Sequence, residues 1–142
     1  MTEVAATEHK ETKMPEHPNA TIARTAAEAM NRGDFEAAFA VLSDDVEWHE
    51  IGRSEPRRGK QALADRYAQA SGGGSIQTVL HDVVANDDHT IALTEATATM
   101  DGRSLVYRTA EIYHVKDGKI TARWAFSDDT ARIMEFFGPS DE

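Results

Sequence analysis

The sequence predicts an α+β fold in which helices come first and a curved antiparallel sheet follows. Three observations carry this. Apolar residues recur at helical spacing between residues 19 and 70, interrupted by one alternating run at 46–51. From residue 76 onward the chain is rich in β-branched residues, in four runs at 76–85, 90–100, 103–115 and 120–127. Two of the joints between these runs are Asp101-Gly102 and Asp117-Gly118, the residue types that a two-residue hairpin turn demands. Helices segregated ahead of strands argue against alternating β-α units.

Each element has its own signal. Residues 1–17 hold few bulky apolar side chains and no sustained period, so they read as a mobile tail. Asn19 or Thr21 is placed to cap a first helix to about residue 32, with Ile22, Ala26, Ala29 and Met30 roughly on one face. Gly33 stands where a helix C-cap wants glycine, and Asp34 caps a second helix carrying Phe35, Ala38, Phe39 and Leu42. Ser43-Asp44-Asp45 then ends it. In the alternating run, Val46, Trp48 and Glu50 share one face and Glu47, His49 and Ile51 the other. After a polar loop containing Pro56, residues 59–70 read as a third helix with Leu63 and Tyr67 inward, followed by a Gly-rich connector over 71–75. Residues 129–137 close the chain as a short helix with Ile133, Met134 and Phe137. One domain therefore spans 18–138, with 139–142 as a C-terminal tail.

Composition excludes several function classes. A chain of 142 residues fits one domain with one core. The net charge of -10 disfavours a nucleic-acid partner, which needs clustered Lys and Arg. Without cysteine there is no disulfide, thiolate zinc site or cysteine nucleophile. No apolar run has membrane-spanning length and the first 20 residues lack a signal core, so a soluble cytoplasmic protein with no membrane partner is expected. His49, His81, His89 and His114 lie on separate elements without metal-ligand spacing, and Gly72-Gly73-Gly74 lacks the strand-to-helix step and Lys of a phosphate cradle. No metal or cofactor is expected.

The last hairpin sets which side chains face together. With Asp117-Gly118 as the turn, an unbroken ladder pairs Val115 with Ile120, Ile112 with Arg123 and Ala110 with Ala125. One face then holds Arg108, Ala110, Ile112, His114, Arg123, Ala125 and Ser127, and the other Tyr107, Thr109, Glu111, Tyr113, Ala122, Trp124 and Phe126. Both faces mix apolar and polar residues, so each is expected to be covered. Helices cover one, and a second copy covers the outer sheet face in a homodimer.

The order of elements, N-R-G-D-F before the second helix, S-D-D-V-E-W at the first strand and K-D-G-K-I-T-A-R-W near the end resemble the nuclear transport factor 2-like superfamily. Within it the chain is similar to the SnoaL-like group and to ketosteroid isomerase. The resemblance implies a cone-shaped curved sheet wrapped around the N-terminal helices, a cystatin-like α+β barrel, with a cavity opening near the first strand. It aligns Glu50 with the isomerases' general-base carboxylate, which moves a proton between carbons of an enolisable ketone. Their oxyanion hole, a Tyr and a protonated Asp, falls at Ala26 and Ala110, while Tyr67 matches a buttressing Tyr. Arg108 and Asp128 resemble two members of the Asp-Arg-Asp set of limonene-type epoxide hydrolases, whose first Asp also falls at Ala110. Gly118-Lys119-Ile120 to Trp124 and Asp128 is similar to a motif of SnoaL-like polyketide cyclases, in which the Asp is the acid/base.

The expected site follows. Glu50, Asp128 and Arg108 are the candidate catalytic residues, and Trp48, Tyr67, Ile112, Arg123 and His114 the candidate walls for a small apolar molecule. The expected chemistry is a cofactor-free isomerase, cyclase or hydrolase reaction on a carbonyl or polyketide-like compound. A non-catalytic ligand-binding or dimerisation domain of the same fold is the alternative. Each residue also has a plainer reading: Glu50 as a solvated strand-end carboxylate, Asp128 as a helix N-cap, and Arg108 or Arg123 in an ion pair with Glu95, Glu111 or Asp128.

Overall fold

The computed structural model describes residues 15–70 and 75–138, the side chains of 68–70 excepted. The expected tails over 1–14 and 139–142 and the connector over 71–74 lie outside the described residues. Helices α1 (Pro18–Asn31), α2 (Phe35–Ala40) and α3 (Lys60–Ala70) surround a first strand β1 (Leu42–His49) and a two-residue strand β2 (Arg57–Arg58). Four long strands follow, β3 (Ser75–Ala85), β4 (Thr90–Met100), β5 (Arg103–Lys116) and β6 (Lys119–Ser127), and α4 (Thr130–Phe137) ends the domain. The architecture is α+β, with one curved six-stranded sheet in the order β2-β1-β6-β5-β4-β3.

Local chemistry explains most of the boundaries. Helix α1 begins at Pro18, where a missing N–H costs nothing. His17 rather than Asn19 or Thr21 takes the cap, its Nδ1 accepting from the Asn19 amide at 3.1 Å. Glu16 is held by Arg24 at 2.8 Å, so order begins before residue 18. Asp34 caps α2 as expected, accepting from the Ala37 amide at 3.1 Å. That helix stops at Ala40, and Leu42 already belongs to β1 rather than to the helix. The reason is tertiary: Leu42 pairs with Ile120 of β6, and both side chains are buried in the first core. Strand β1 runs parallel to β6, while β3 to β6 form the expected antiparallel meander. Asp101, Gly102, Asp117 and Gly118 all have positive φ, from 53° to 78°, which matches the twist of a two-residue hairpin.

The sheet's inner face carries two cores. Ala20 and Ala23 of α1 pack with Leu42, Val46, Leu63, Val83, Ala92, Tyr113 and Ile120. Ile133 and Phe136 of α4 pack with Ala96, Ala98, Leu105 and Tyr107 farther along the sheet. Small alanines at these sheet positions let the helices approach closely.

The expected register of the last hairpin holds only next to its turn. Val115 pairs with Ile120, but His114 pairs with Ala122, leaving Thr121 as a bulge whose hydroxyl donates to the His114 carbonyl at 3.3 Å. Every later pair shifts by one residue, so Arg123 faces Tyr113 rather than Ile112, and Ala125 faces Glu111 rather than Ala110. Because side chains alternate, the slip moves Arg123 to the face of Glu111 and Tyr113, and leaves Ile112 and His114 on the opposite one.

Candidate functional site

The inner face between the two cores is polar. Along β5, Tyr107, Thr109, Glu111 and Tyr113 point inward by simple alternation, and the bulge adds Arg123 from β6. The Arg123 and Glu111 side chains are 13% and 15% exposed, with NH2 3.3 Å from Oε1. Glu111 also accepts from the Tyr113 hydroxyl at 2.7 Å and the Thr109 hydroxyl at 3.2 Å. Thr109 is bonded in turn to the Thr94 hydroxyl. Arg123 NH1 donates to the His49 carbonyl at 3.1 Å, and its guanidinium stacks over the Trp48 ring at 4.6 Å. This is a buried pair with its remaining valences nearly filled, the condition under which such a pair is tolerated.

Electrostatics follow from that packing. Burial works to raise the Glu111 pKa, but the Arg123 charge and the bonds from Tyr113 and Thr109 outweigh it and hold the carboxyl below its ordinary value. Burial and the adjacent Glu111 push the Tyr113 phenol well up. Burial likewise raises Tyr67, which feels Arg123, Glu50, Glu111 and Arg66, and raises Tyr107, which feels Glu111 and Arg123. Tyr67 therefore sits within electrostatic reach of both carboxylates. Its ring packs against Phe35 and Phe39 of α2 at 6.1 and 5.9 Å.

Glu50 follows β1 in the loop over 50–53. Its Oε1 lies 3.1 Å from Arg57 Nε, off the line of a hydrogen bond, and its Oε2 3.9 Å from Arg66 Nε. The loop leaves the sheet there, since β1 pairs with β6 only as far as His49 opposite Trp124. A cleft of about 310 Å³ opens between the departing loop and the end of β6. His49 and Glu50 form one wall, Trp124, Phe126 and Ser127 the other, and Thr130 of α4 the end. Gly52 fixes the loop's course with φ +82°; a Cβ there would overlap Met134 Sδ of α4.

The residues expected to form the site are therefore distributed over three places. Glu50 lines the cleft. Trp48, Tyr67 and Arg123 belong to the buried inner face or its border. Ile112 and His114 lie on the outer face by the alternation of β5, and the bulge at Thr121 parts Arg123 from them. Arg108 is also on that face, 70% exposed, pairing with Glu95 at 3.4 Å and Asp128 at 3.9 Å. Asp128 accepts from the Arg108 amide at 3.2 Å, and Asp129, not Asp128, caps α4 by accepting from the Arg132 amide. Glu111 was missed as a site residue. The signal was the run Tyr107, Thr109, Glu111, Tyr113 at alternate positions, but an unbroken ladder separates it from Arg123. Ala110, where the family alignment places a carboxylate, faces outward, and the inward carboxylate is its neighbour. Among the described residues, no three His, Asp or Glu side chains gather as a metal site. Nor is any described helix long and apolar enough to cross a membrane.

The model of the SnoaL-like domain family matches residues 23–123, most of the chain. The chain belongs to the SnoaL-like domain family. This SnoaL-like domain is similar in structure to a nuclear transport factor 2-like protein of unknown function from Burkholderia pseudomallei. That likeness has a TM-score of 0.77 at 17% identity, over 87% of this chain and 99% of that one. An LEH-like epoxide hydrolase of Mycobacterium tuberculosis matches with a TM-score of 0.71 at 19% identity, over 78% and 83%. A Xanthomonas campestris protein with an ascribed polyketide cyclase activity matches with a TM-score of 0.67 at 23% identity, over 82% and 93%. At these identities the likeness carries the fold. No curated protein sequence matches this SnoaL-like domain.

Proposed function

We propose that this SnoaL-like domain takes a small, largely apolar carbonyl compound in the cleft beside Glu50 and acts on it by carboxylate acid/base chemistry without a cofactor. The observation that carries the reading is that Glu50 is the carboxylate among the described cleft residues, facing a wall of Trp124 and Phe126. Such a wall suits an apolar skeleton, and a few polar groups fix its orientation. Glu50 removes a proton from the carbon next to the carbonyl, and the electron pair moves onto the carbonyl oxygen. The Ser127 and Thr130 hydroxyls, bonded to each other at 2.8 Å, leave one O–H to meet that oxygen. Glu50 then returns the proton to a second carbon, or the enolate closes a ring on a second carbonyl. Arg57 and Arg66 hold the carboxylate in place. The names of two structural neighbours, an epoxide hydrolase and a polyketide cyclase, are in line with a small-molecule reaction.

The test is a screen of enolisable ketones for proton exchange or turnover, followed by Glu50→Gln. A positioned general base contributes about 10²–10⁴-fold, so the variant should lose at least tenfold. Turnover that survives Glu50→Gln unchanged sinks the assignment. Binding without turnover is the second reading, favoured by the two guanidiniums that compete for the Glu50 oxygens. It is recognised by ligand-raised thermal stability with no product formed.

A further inference from the structure

We infer that the compound handled beside Glu50 is an acid, and that its carboxylate docks on the Arg66 guanidinium. The inference rests on the proposed site and narrows its substrate from an apolar carbonyl compound to an apolar keto acid. Donors and acceptors along the inner face do not balance. Both Glu111 oxygens are engaged, Oε1 by the Tyr113 hydroxyl and Arg123, and Oε2 by the Thr109 hydroxyl. Both Glu50 oxygens face guanidiniums, Oε1 that of Arg57 at 3.1 Å and Oε2 that of Arg66 at 3.9 Å. Neither carboxylate has an oxygen to spare.

Donors are left over. Arg66 Nε is buried and makes no hydrogen bond, and among the described residues its guanidinium meets only the distant Glu50 oxygen. Arg123 Nε is buried without a hydrogen-bond partner as well. The hydroxyl of Tyr67, the residue after Arg66, bonds to no described residue. Burial raises its pKa first of all, and Arg123, Glu50, Glu111 and Arg66 all act on it, so it stands among these four charges. Buried donors without acceptors are uncommon in folded proteins, and each calls for an explanation.

The surplus is of one kind, so the ligand that fits is rich in acceptors. A guanidinium offers parallel N–H groups that a carboxylate meets bidentately. The Arg66 side chain is 31% exposed, open enough to be reached and enclosed enough for its charge to count. Glu50 lies nearer Arg57, so an incoming carboxylate displaces only the 3.9 Å contact. The net charge of -10 is no obstacle, because residues 53–66 hold five of the 15 Lys and Arg against two acidic residues. More distant surface charges are screened beyond about 8 Å in physiological salt. Glu50 joins this anion site to the cleft: it lines the cleft that takes the apolar part, and its Oε2 faces Arg66.

The experiment titrates the full chain with phenylpyruvate, an enolisable ketone with an apolar ring and a carboxylate, and with its uncharged methyl ester. Isothermal titration calorimetry reads both dissociation constants. The acid should bind at least about tenfold tighter than the ester, the order expected for hydrogen bonds to a charged group. Arg66→Gln should remove that preference, and Arg66→Lys should keep part of it, since lysine retains the charge but not the fork. Circular dichroism checks that the variants fold, and the comparison of acid with ester needs no variant. Glu50→Gln should tighten acid binding by removing the carboxylate that competes for Arg66. Equal binding of acid and ester, binding of neither, or a preference that survives Arg66→Gln overturns the inference. Acid binding that is unchanged or weaker in Glu50→Gln overturns it too. Turnover that survives Glu50→Gln removes the base and leaves the anion site standing, whereas absence of the acid preference removes the anion site and leaves the base.

Discussion

Arg123 ties Glu111 on β5 to the end of β1: one nitrogen meets the Glu111 carboxylate at 3.3 Å and another donates to the His49 carbonyl at 3.1 Å. The residue after His49 is Glu50, so this guanidinium sets where the candidate base leaves the sheet. Its role is positional, acting through the backbone.

Removing that guanidinium alone should be severe. Arg123→Ala leaves a buried carboxylate without its cation, a change that costs about 3–5 kcal/mol in comparable buried pairs. Adding Glu111→Gln should recover part of the loss, because no unpaired charge remains. Urea unfolding of the two single variants and the double variant measures the coupling. Strict additivity would show that the two residues do not act as a pair.

Acid stability should depend on Glu111. Its folded pKa is depressed below the ordinary 4.5, so its contribution is fully present above that value and is lost as pH falls from there through the folded value. Tyr113 has the opposite sign: its raised pKa gives a contribution present below pH 10 that is lost above it. Glu111→Gln should flatten the acid limb of a stability-versus-pH curve, and Tyr113→Phe the alkaline limb. An acid limb unchanged in Glu111→Gln would refute the assignment.

Tyr113 and the half-buried Tyr67 should respond differently to loss of the hydroxyl. Tyr113 donates to Glu111 at 2.7 Å, and a bond to a charged group is worth about 1.5–3 kcal/mol, so Tyr113→Phe destabilises by that order. The Tyr67 hydroxyl has no hydrogen-bond partner among the described residues, while its ring is packed by Phe35 and Phe39. Tyr67→Phe should therefore shift stability by less than about 0.5 kcal/mol. Equal losses from thermal unfolding of the two variants would contradict the different bonding.

The sequence was informative where local chemistry decides. Asp-Gly pairs fixed both hairpins, Asp34 fixed the start of α2, and long β-branched runs located the strands to within a residue or two. It was silent where the outcome depends on how one strand meets another. Nothing in K-I-T-A-R-W marks Thr121 as an extra residue, since a bulge is chosen by the two strands together. The parallel pairing of β1 with β6 joins residues far apart in the chain and draws Leu42 out of its helix. Those two events set Arg123 beside Tyr113 and Glu111 on the inner face, apart from the expected walls Ile112 and His114. Ala110, the position that the family resemblance gives to a carboxylate, faces outward, and the inward carboxylate is the next residue, Glu111.

The bulge at Thr121 makes the sheet's inside and outside interchangeable by a single residue. Deleting Thr121 would give a continuous ladder that leaves Arg123 opposite Tyr113 and Trp124 opposite Ile112, whereas drawing Thr121 into the ladder opposite His114 would turn Arg123 out to solvent and Trp124 in towards the helices. Loss of that one codon would therefore spare the lining, while a slip that absorbs Thr121 would exchange the lining for the outer wall without any change of composition.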